Sequence, residues 1–336
     1  TYRAADEEIT STRGRANALR AAMSGDLPAD PTDEEFVTEV LDLCIGCKGC
    51  KNDCPSGVDL AKLKAEVVHE HHQREGIGLR DRLFANVETV LRAGSLFAPV
   101  SNWAMDVPGA GWLMERTLGI AAERDLPSFS RHTFVDWMAD RGGSTVSADD
   151  ARRRALLVPD PYTNYSHPDV GAAAVRVLEA AGVHVRLPDG VTDSGRPAFS
   201  KSMLDRARAT ATENVAALAP RVRDGWDVVT IEPSDAVMYQ NDYLDLLTGA
   251  DAEAVARNAY GVCEYLDVHD LDRAIEFGGT DDHLTYHGHC HQKATRKDHH
   301  AVGVLRRAGY AVDPLDSTCC GMAGSFGYEA EHVSMS

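Results

Sequence analysis

The spacing of apolar positions divides the chain into an N-terminal helical part and a later part of strands and helices. Up to about residue 75, apolar residues recur every three or four positions, which is the spacing of one helix face. Two such stripes are Phe36, Val40, Leu41 and Leu43, and Val58, Leu60, Leu63, Val67 and Val68. Ser11 or Thr12 can cap a first helix, and Thr32 to Glu35 have the capping pattern of a second. Residues 1–75 are therefore predicted to form an α-helical domain, and residues 76–150 a helical connecting region.

From residue 151, short apolar strands alternate with amphipathic helices. The predicted strands are Ala155 to Val158, Val183 to Val185 and Val228 to Ile231, and the predicted helices are Val170 to Ala181 and Met203 to Leu218. This alternation favours mostly parallel sheets with helices on both faces. The chain is thus predicted to be an α+β multidomain protein, in which an α/β domain over residues 151–336 follows the helical part.

An internal repeat divides the α/β domain into two similar halves. Val175 to Val185 resemble Val302 to Val312, and each copy has a helix, a glycine at the helix end and a strand. The copies lead to Asp193-Ser194-Gly195 in the first half and to Cys319-Cys320-Gly321 in the second. We expect pseudo-repeats over about residues 151–250 and 280–336, with the second truncated at its C-terminus.

The charge balance limits the classes of partner. Acidic residues outnumber basic residues 52 to 34, for a formal net charge of −18, whereas nucleic-acid binding depends on basic patches, so nucleic acid is excluded. An acidic composition poor in lysine also predicts a halophilic origin. Ala93 to Met114, the longest weakly charged run, is broken by Asp106 and by Pro and Gly turns, so no membrane span is expected. Thr1 to Glu8 do not have the apolar core of a secretory signal, which predicts a cytoplasmic chain, free or peripheral to the membrane.

The eight cysteines carry the first chemical signal. In a reduced compartment they serve as metal ligands more often than as disulfides. Cys44, Cys47, Cys50 and Cys54, followed by Pro55, have the spacing that wraps three thiolates around a 4Fe-4S cluster and sends the fourth to a neighbouring cluster. A zinc knuckle would need two cysteine pairs placed further apart.

The cysteine motif stands alone in the sequence. The fourth ligand of a cluster on Cys44, Cys47 and Cys50, and the remaining ligands of a cluster that uses Cys54, must then lie before Thr1 or on another chain. The chain is therefore expected to be a fragment of a larger protein.

A second group of thiols and imidazoles lies in the second half of the α/β domain. His289, Cys290 and His291 follow a predicted strand, at the carboxyl end where α/β sheets place their ligands. Cys319 and Cys320 follow the last strand of the same half. The three thiols with either imidazole predict a second iron-sulfur centre or a zinc site, and inert core thiols are the alternative.

The matching loops of the first half carry Asp193 and Asp235 instead of thiols. Carboxylates are poor ligands for iron-sulfur clusters. This half is therefore expected to hold no cluster.

Six segments spread over nearly the whole chain carry a resemblance to a known family. They are Ser11 to Asn17, Leu41 to Lys64, Gly195 to Pro197 with Ser200, Glu232 to Ser234, Gly288 to Lys293, and Cys319 to Tyr328. Together they resemble the C-terminal iron-sulfur portion of the FAD-linked oxidases, which include D-lactate and D-2-hydroxyglutarate dehydrogenases with a fused cysteine-rich CCG domain. The resemblance implies a ferredoxin-like helical domain at the N-terminus and a CCG domain after it. Many relatives have Cys-Cys-Gly at Asp193-Ser194-Gly195 and Cys at Asp235, and this chain departs from them there.

The resemblance also implies a function. The chain would relay electrons from FAD, bound by an upstream dehydrogenase domain of the same polypeptide or of another subunit, to a quinone or another acceptor. The residues that oxidise the hydroxy acid would then lie outside this chain, and no residue here is assigned a catalytic role. Two alternatives are a docking module stabilised by zinc and a thiol redox protein of the heterodisulfide reductase type.

Overall fold

Helices surround two parallel sheets in this chain. A computed structural model describes residues 7–27, 30–191, 193–315 and 319–336. Thr1 to Asp6, most of the polar N-terminus, lie outside the described residues. The predicted α+β class is confirmed. In the described ranges, no helix combines the length and the apolar character needed to cross a bilayer.

Helices on either side of the cysteine loop form the N-terminal part. They are Glu8–Thr10, Thr12–Met23, Glu34–Phe36 continued by the π-helix Val37–Leu41, Gly49–Asp53 and Leu60–Glu75. Ser11 caps its helix as predicted, because its hydroxyl accepts a hydrogen bond from the Gly14 N–H at 3.0 Å. The Thr32 hydroxyl instead donates to Asp30 at 2.7 Å, so the second predicted cap is wrong in detail. The apolar faces meet in a small core of Leu19, Phe36, Val40, Leu41 and Leu60.

Short helices then lead to the α/β part. They are Leu79–Ala85, Val87–Leu96, Val100–Met105, Ala110–Leu118 and Phe134–Asp140. Asn102 fixes their packing, because its amide donates to the Phe129 carbonyl at 2.9 Å and accepts from the Phe129 N–H at 2.8 Å. On the outer side, Leu96, Phe97 and Trp103 are mostly exposed.

The first sheet has four parallel strands in the order β2-β1-β3-β4. These are β1 (Arg153–Val158), β2 (Val183–Arg186), β3 (Asp227–Thr230) and β4 (Ala259–Gly261). Because side chains alternate across a strand, Leu156 and Val158 face one buried core, and Ala155 and Leu157 face the other. Burial of both faces explains why the strands are continuous apolar runs.

Helices cover both faces of this sheet. They are Pro161–Tyr165, Pro168–Ala180, Arg196–Ser200, Leu204–Arg223, Pro233–Val237, the π-helix Met238–Asp242, Tyr243–Leu246, Ala250–Arg257 and Val262–Val268. The helix Pro168–Ala180 packs on β2, and Leu204–Arg223 packs on β3 and on Ala250–Arg257. The predicted helices and strands in this half are confirmed to within a few residues.

The second sheet has two parallel strands, β5 (His283–Tyr286) and β6 (Ala311–Pro314). The 3-10 turn Asp272–Ala274 precedes it, the helices Cys290–Ala294 and His299–Arg307 lie between its strands, and the 3-10 helices Phe326–Tyr328 and Ala330–Met335 follow. The tail returns to the connecting region, because the Ala121 N–H donates to the Tyr328 carbonyl at 2.8 Å and the Ala330 N–H donates to the Gly119 carbonyl at 2.9 Å. Since the first sheet has four strands, the two halves differ in size.

Candidate metal centre

The cysteine loop curls so that three of its thiols are neighbours. Gly46 and Lys48 adopt left-handed backbone conformations, with φ of +64° and +61°, which turn the chain between successive cysteines. Burial raises the pKa of the Cys47 thiol, and its neighbours Cys44 and Cys50 raise it further. Such a group of thiols holds its protons until a cation or cluster takes their place.

Cys54 lies apart from the other three thiols of the motif. Its side chain is close to the backbone N–H groups of Val58, Ser56 and Gly57, which lower the pKa of the thiol. Cys54 is not among the groups that affect the pKa of Cys47 or Cys50. The structure therefore brings together three of the four predicted ligands, and no thiol is among the groups that shift the pKa of Cys54.

The second constellation forms around the N-terminus of the helix Cys290–Ala294. β5 ends at Tyr286, and His289 is the N-cap of the helix, which places Cys290 in its first turn. The thiols of Cys290 and Cys319 share a hydrogen bond, which raises the pKa of Cys290 and lowers that of Cys319. Cys320 is also close enough to raise the pKa of Cys290. The three predicted thiol ligands of this half are thus together.

The two constellations meet in space. Cys319 is one of the neighbours that raise the pKa of Cys47, and Cys47 in turn raises that of Cys290. His291 Nε2 lies 3.1 Å from the carbonyl oxygen of Gly46, across 245 residues of sequence. The cysteine loop and the second half of the α/β part therefore share one thiol-rich centre.

The two predicted histidine ligands have different surroundings. Burial lowers the pKa of His291 to about 3, so the ring is neutral and its Nε2 donates to Gly46. The Nδ1 atom of His291 is buried and has no hydrogen-bond partner in the described part of the chain. His289 Nδ1 accepts from the His291 N–H at 3.2 Å, and His289 Nε2 lies 3.7 Å from Glu232. Each ring thus keeps one nitrogen available.

A buried ion pair holds the cysteine loop against the α/β part. Lys48, between Cys47 and Cys50, bonds to Asp242, which also binds the Arg196 guanidinium. Burial alone would raise the pKa of Asp242, but Arg196 and Lys48 outweigh burial and lower it. The role of Lys48 and Asp242 is not visible in the sequence, because nothing in the local pattern shows that residues 194 positions apart will pair.

A second tie reaches the residues just before the cysteine loop. The His332 ring lies 2.7 Å from Asp42 through Nε2 and 3.0 Å from Glu329 through Nδ1, and it stacks on Phe326. Burial lowers the pKa of His332, but the hydrogen bonds to Asp42 and Glu329 outweigh burial and raise it to about 9. The chain therefore fixes the cysteine loop from its last residues as well as from the α/β part.

The first half of the α/β part has oxygen atoms in the matching loops. The Ser194 hydroxyl donates to Asp235 Oδ1 at 2.6 Å and accepts from the Arg196 N–H at 3.1 Å. Burial raises the pKa of Asp235 well above its usual range, and the nearby carboxylates Asp160 and Glu232 raise it further. A neutral carboxylic acid bonded to a hydroxyl is a poor ligand for iron-sulfur clusters.

A cavity of about 1110 Å³ joins the thiol centre to the loops of the first half. Cys44, Cys47, Cys290 and Cys320 line one part of it, and Tyr162, Asp160, Glu232 and Asp235 line another. His289 and His291 also line it. The cavity thus includes the space that iron-sulfur groups on these thiols would take, and it continues to the oxygen groups of the first half.

The donor set fits an iron-sulfur group. Backbone N–H groups point at the sulfurs, from Gly49 to Cys47, from Leu60 and Ala61 to Cys50, and from Gly321 to Cys319 at 3.2 Å. Such bonds stabilise thiolates, and they are among the features that tune iron-sulfur clusters. Soft thiolates around one centre suit iron-sulfur or zinc better than hard cations.

Comparison with known proteins gives three kinds of relative. The chain is 25% identical to D-2-hydroxyglutarate dehydrogenase of Escherichia coli strain K12, over 88% of this chain and 29% of that protein. It is 25% identical to one subunit of the anaerobic glycerol-3-phosphate dehydrogenase of the same strain, over 77% of this chain and 65% of that subunit. It is 23% identical to the glycolate oxidase iron-sulfur subunit of that strain, over 97% of this chain and 76% of the subunit. No family model matches the chain. No solved structure matches it either.

These relatives are oxidoreductases or subunits of oxidoreductases. The chain is similar to D-2-hydroxyglutarate dehydrogenases and to an iron-sulfur subunit over most of its length, which confirms the resemblance deduced from the motifs. The chain spans about 29% of the length of the first of these relatives. The relatives do not favour a zinc-stabilised docking module or a heterodisulfide reductase type of thiol protein.

Proposed function

We propose that the chain is the iron-sulfur electron-transfer portion of a FAD-dependent D-2-hydroxy-acid dehydrogenase, of the D-lactate or D-2-hydroxyglutarate type. The observation that carries the proposal is the meeting of the two thiol constellations around Cys47, Cys290 and Cys319. A short electron path requires two redox groups close together in space, and here two groups of soft ligands lie side by side although they are far apart in sequence.

The ligands divide into two sets in this proposal. Cys44, Cys47 and Cys50 would hold a 4Fe-4S cluster, and Cys54 would serve a neighbouring cluster whose other ligands come from elsewhere. Cys290, Cys319 and Cys320, with His289 or His291, would hold a second iron-sulfur centre or a zinc ion. An iron-sulfur cluster accepts and releases single electrons. Residues 1–75 then act as a ferredoxin-like domain, residues 76–150 connect it, and residues 151–336 are the CCG domain.

The remaining polar residues of the site position and tune the ligands. The Lys48–Asp242 ion pair fixes the loop relative to the α/β part, and so fixes the separation of the two ligand sets. Lys64 donates to the Cys44 carbonyl at 2.5 Å, although burial lowers the pKa of its amine. Positive charge and N–H groups beside sulfur stabilise the reduced, more negative state and raise the reduction potential.

The proposal assigns two partners. FAD would be bound by an upstream or separate dehydrogenase domain, which oxidises the hydroxy acid and supplies the electrons. A quinone or another acceptor would receive them. The lengths of the relatives support a further domain, because the chain aligns with only 29% of the D-2-hydroxyglutarate dehydrogenase.

The test is the metal content and redox behaviour of the whole chain. The chain is purified without oxygen after reconstitution with iron and sulfide, and iron, acid-labile sulfide and zinc are measured with the EPR spectrum before and after dithionite. We expect iron and sulfide in comparable amounts and a signal that appears on reduction. Cys47→Ser should lose most of the iron, whereas Cys263→Ser, a thiol packed on the second core of the sheet, should keep it. Zinc at both sites without a reducible signal would exclude the proposal.

A further inference from the structure

The cavity beside the thiol centre has a polar wall that the relay does not use. Its volume is about 1110 Å³, and cavities that hold small molecules are typically ~300–1,000 Å³. The thiols line one side, and Tyr162, Asp160 and Asp235 line the side formed by the first half of the α/β part. A molecule in this cavity would touch both the metal ligands and these oxygen groups.

Asp235 is the residue of this wall with the clearest chemistry. It is only 4% exposed, and its Oδ1 accepts from the Ser194 hydroxyl at 2.6 Å. In the described part of the chain Ser194 is the side-chain hydrogen-bond partner found for Asp235, and the Asp235 side chain lines the cavity. Burial raises the pKa of Asp235 well above its usual range, which favours the protonated carboxyl, and a protonated carboxyl can donate its hydrogen to a ligand oxygen.

Two further side chains on the cavity offer matching groups. Burial raises the pKa of Tyr162 to about 12, so its phenol is a hydrogen-bond donor. His291 presents a buried Nδ1 without a partner in the described ranges. Phe199, Pro161 and Phe326 supply apolar surface to the same cavity. The lining therefore suits a flat organic ring that carries oxygen atoms at its edge.

We propose that this cavity binds the terminal electron acceptor, that the acceptor is a quinone, and that Asp235 is its proton donor. This inference rests on the proposed function, which supplies the electrons. Each quinone carbonyl takes one electron and one proton and becomes a hydroxyl, so the quinone is reduced to a quinol by two electrons and two protons. Asp235 gives one proton to the nearer oxygen and is reprotonated from the solvent, and the oxygen on the opposite edge of the ring takes its proton from the solvent.

An acceptor in this cavity accounts for oxygen groups instead of thiols in the first half. A second metal centre at Ser194 and Asp235 would fill the place where the acceptor binds. The Ser194 hydroxyl holds the Asp235 carboxyl, and the Arg196 N–H fixes that hydroxyl by donating to its oxygen. Fixed orientation of a proton donor is a main source of rate in acid catalysis.

The experiment uses the whole chain, reconstituted with iron and sulfide and kept without oxygen. The chain is reduced with dithionite, freed of excess reductant, and mixed in a stopped-flow instrument with decylubiquinone, while the visible absorbance of the centre is followed. Binding of decylubiquinone to the oxidised chain is measured by calorimetry, which does not depend on turnover. Asp235→Asn keeps the size of the side chain but cannot give a proton. Asp245→Asn is the matched control, because it makes the same change in the partly exposed partner of Lys62.

We expect Asp235→Asn to slow reoxidation by roughly 100-fold or more and to weaken binding by about tenfold, whereas Asp245→Asn should change neither. Equal reoxidation rates and equal binding in Asp235→Asn and the unchanged chain would overturn the inference and leave the proposed function standing. So would a reduced chain that is reoxidised by a small disulfide but not by the quinone. A chain that forms no reducible centre would instead count against the proposed function. If Asp235→Asn fails to fold, Tyr162→Phe in the same two measurements decides, with a loss of quinone affinity expected.

Discussion

The buried ion pair between Lys48 and Asp242 makes a strong prediction about stability. Asp242→Asn removes the negative charge that pairs with both Lys48 and Arg196, two side chains that are almost fully buried. Arg196 keeps two bonds to the Ser234 carbonyl, at 3.2 and 3.3 Å. The Lys48 ammonium has no other hydrogen-bonding acceptor in the described part of the chain, so its desolvation would be uncompensated.

The size of the effect follows from the cost of an unpaired buried charge. Loss of one partner of a buried pair costs ~3–5 kcal/mol. Because Arg196 keeps its hydrogen bonds to Ser234 and only Lys48 is left unpaired, we expect a loss near the lower end, ~3 kcal/mol. That value is a change of roughly 150-fold in the equilibrium between folded and unfolded chain. Lys62 and Asp245 provide the comparison, because they form a second Lys–Asp pair between the helix Leu60–Glu75 and the α/β part, with a distance of 2.6 Å and each about one third exposed. Exposed pairs contribute ~0–1 kcal/mol.

The assay is urea unfolding of the metal-free, reduced chain, followed by circular dichroism. Asp242→Asn should lower the unfolding midpoint with little change in slope, and Asp245→Asn should lower it much less. Lys48→Met combined with Asp242→Asn should recover part of the loss, because the unpaired ammonium is then gone. If the two single Asn variants differ by less than ~0.5 kcal/mol, near the error of such measurements, the Lys48 side chain is solvated and the interface described for the cysteine loop is wrong.

Three further predictions concern single side chains. In the metal-free chain, iodoacetamide at pH 7 should modify Cys319 before Cys263. The hydrogen bond from Cys290 lowers the pKa of Cys319, whereas burial raises the pKa of Cys263. Peptide mass mapping gives the order of labelling, and equal labelling of the two thiols would contradict the prediction. The pKa of His332 is about 9 in the folded chain, against an ordinary value of 6.5 for the unfolded chain. The protonated ring therefore stabilises the fold fully below pH 6.5, and this stabilisation is lost as the pH rises to 9. The unfolding free energy of the unchanged chain should therefore exceed that of His332→Asn by up to ~3 kcal/mol at pH 6 and converge with it above pH 9; a constant difference would refute the assignment. Phe134→Ala, at a fully buried ring, should cost ~3–5 kcal/mol in urea unfolding, and a loss of under ~1 kcal/mol would show that the ring is not in the core.

Features that depend on neighbours in sequence could be predicted well. The strands β1, β2 and β3 are apolar runs because both faces of the sheet are buried, and this is visible in any short window. The cysteine spacing predicts a curled loop because Gly46 can adopt a left-handed conformation. β4 has only three residues, Ala259–Gly261, which is too short to show an alternation of apolar and polar residues.

Features that depend on distant residues could not be predicted. In the sequence, Cys44 to Cys54 and Cys290 to Cys320 look like separate sites. No local sequence pattern shows that Gly46 and His291 are in contact. The π-helix Met238–Asp242 directs a carboxylate inward from a segment that looks like an ordinary amphipathic helix. The role of Asp242 becomes clear only when Lys48 lies beside it, and this contact depends on the tertiary structure.

The position of Cys290 in the first turn of a formed helix has a consequence for assembly. On one side of this thiol the Lys293 N–H donates to the His289 carbonyl at 2.9 Å, and on the other His291 Nε2 lies 3.1 Å from the Gly46 carbonyl oxygen. Ordering a residue that is already held in this way costs little further backbone entropy. Most of the free energy that Cys290 gains on binding iron or zinc therefore remains as affinity instead of being spent on ordering the backbone.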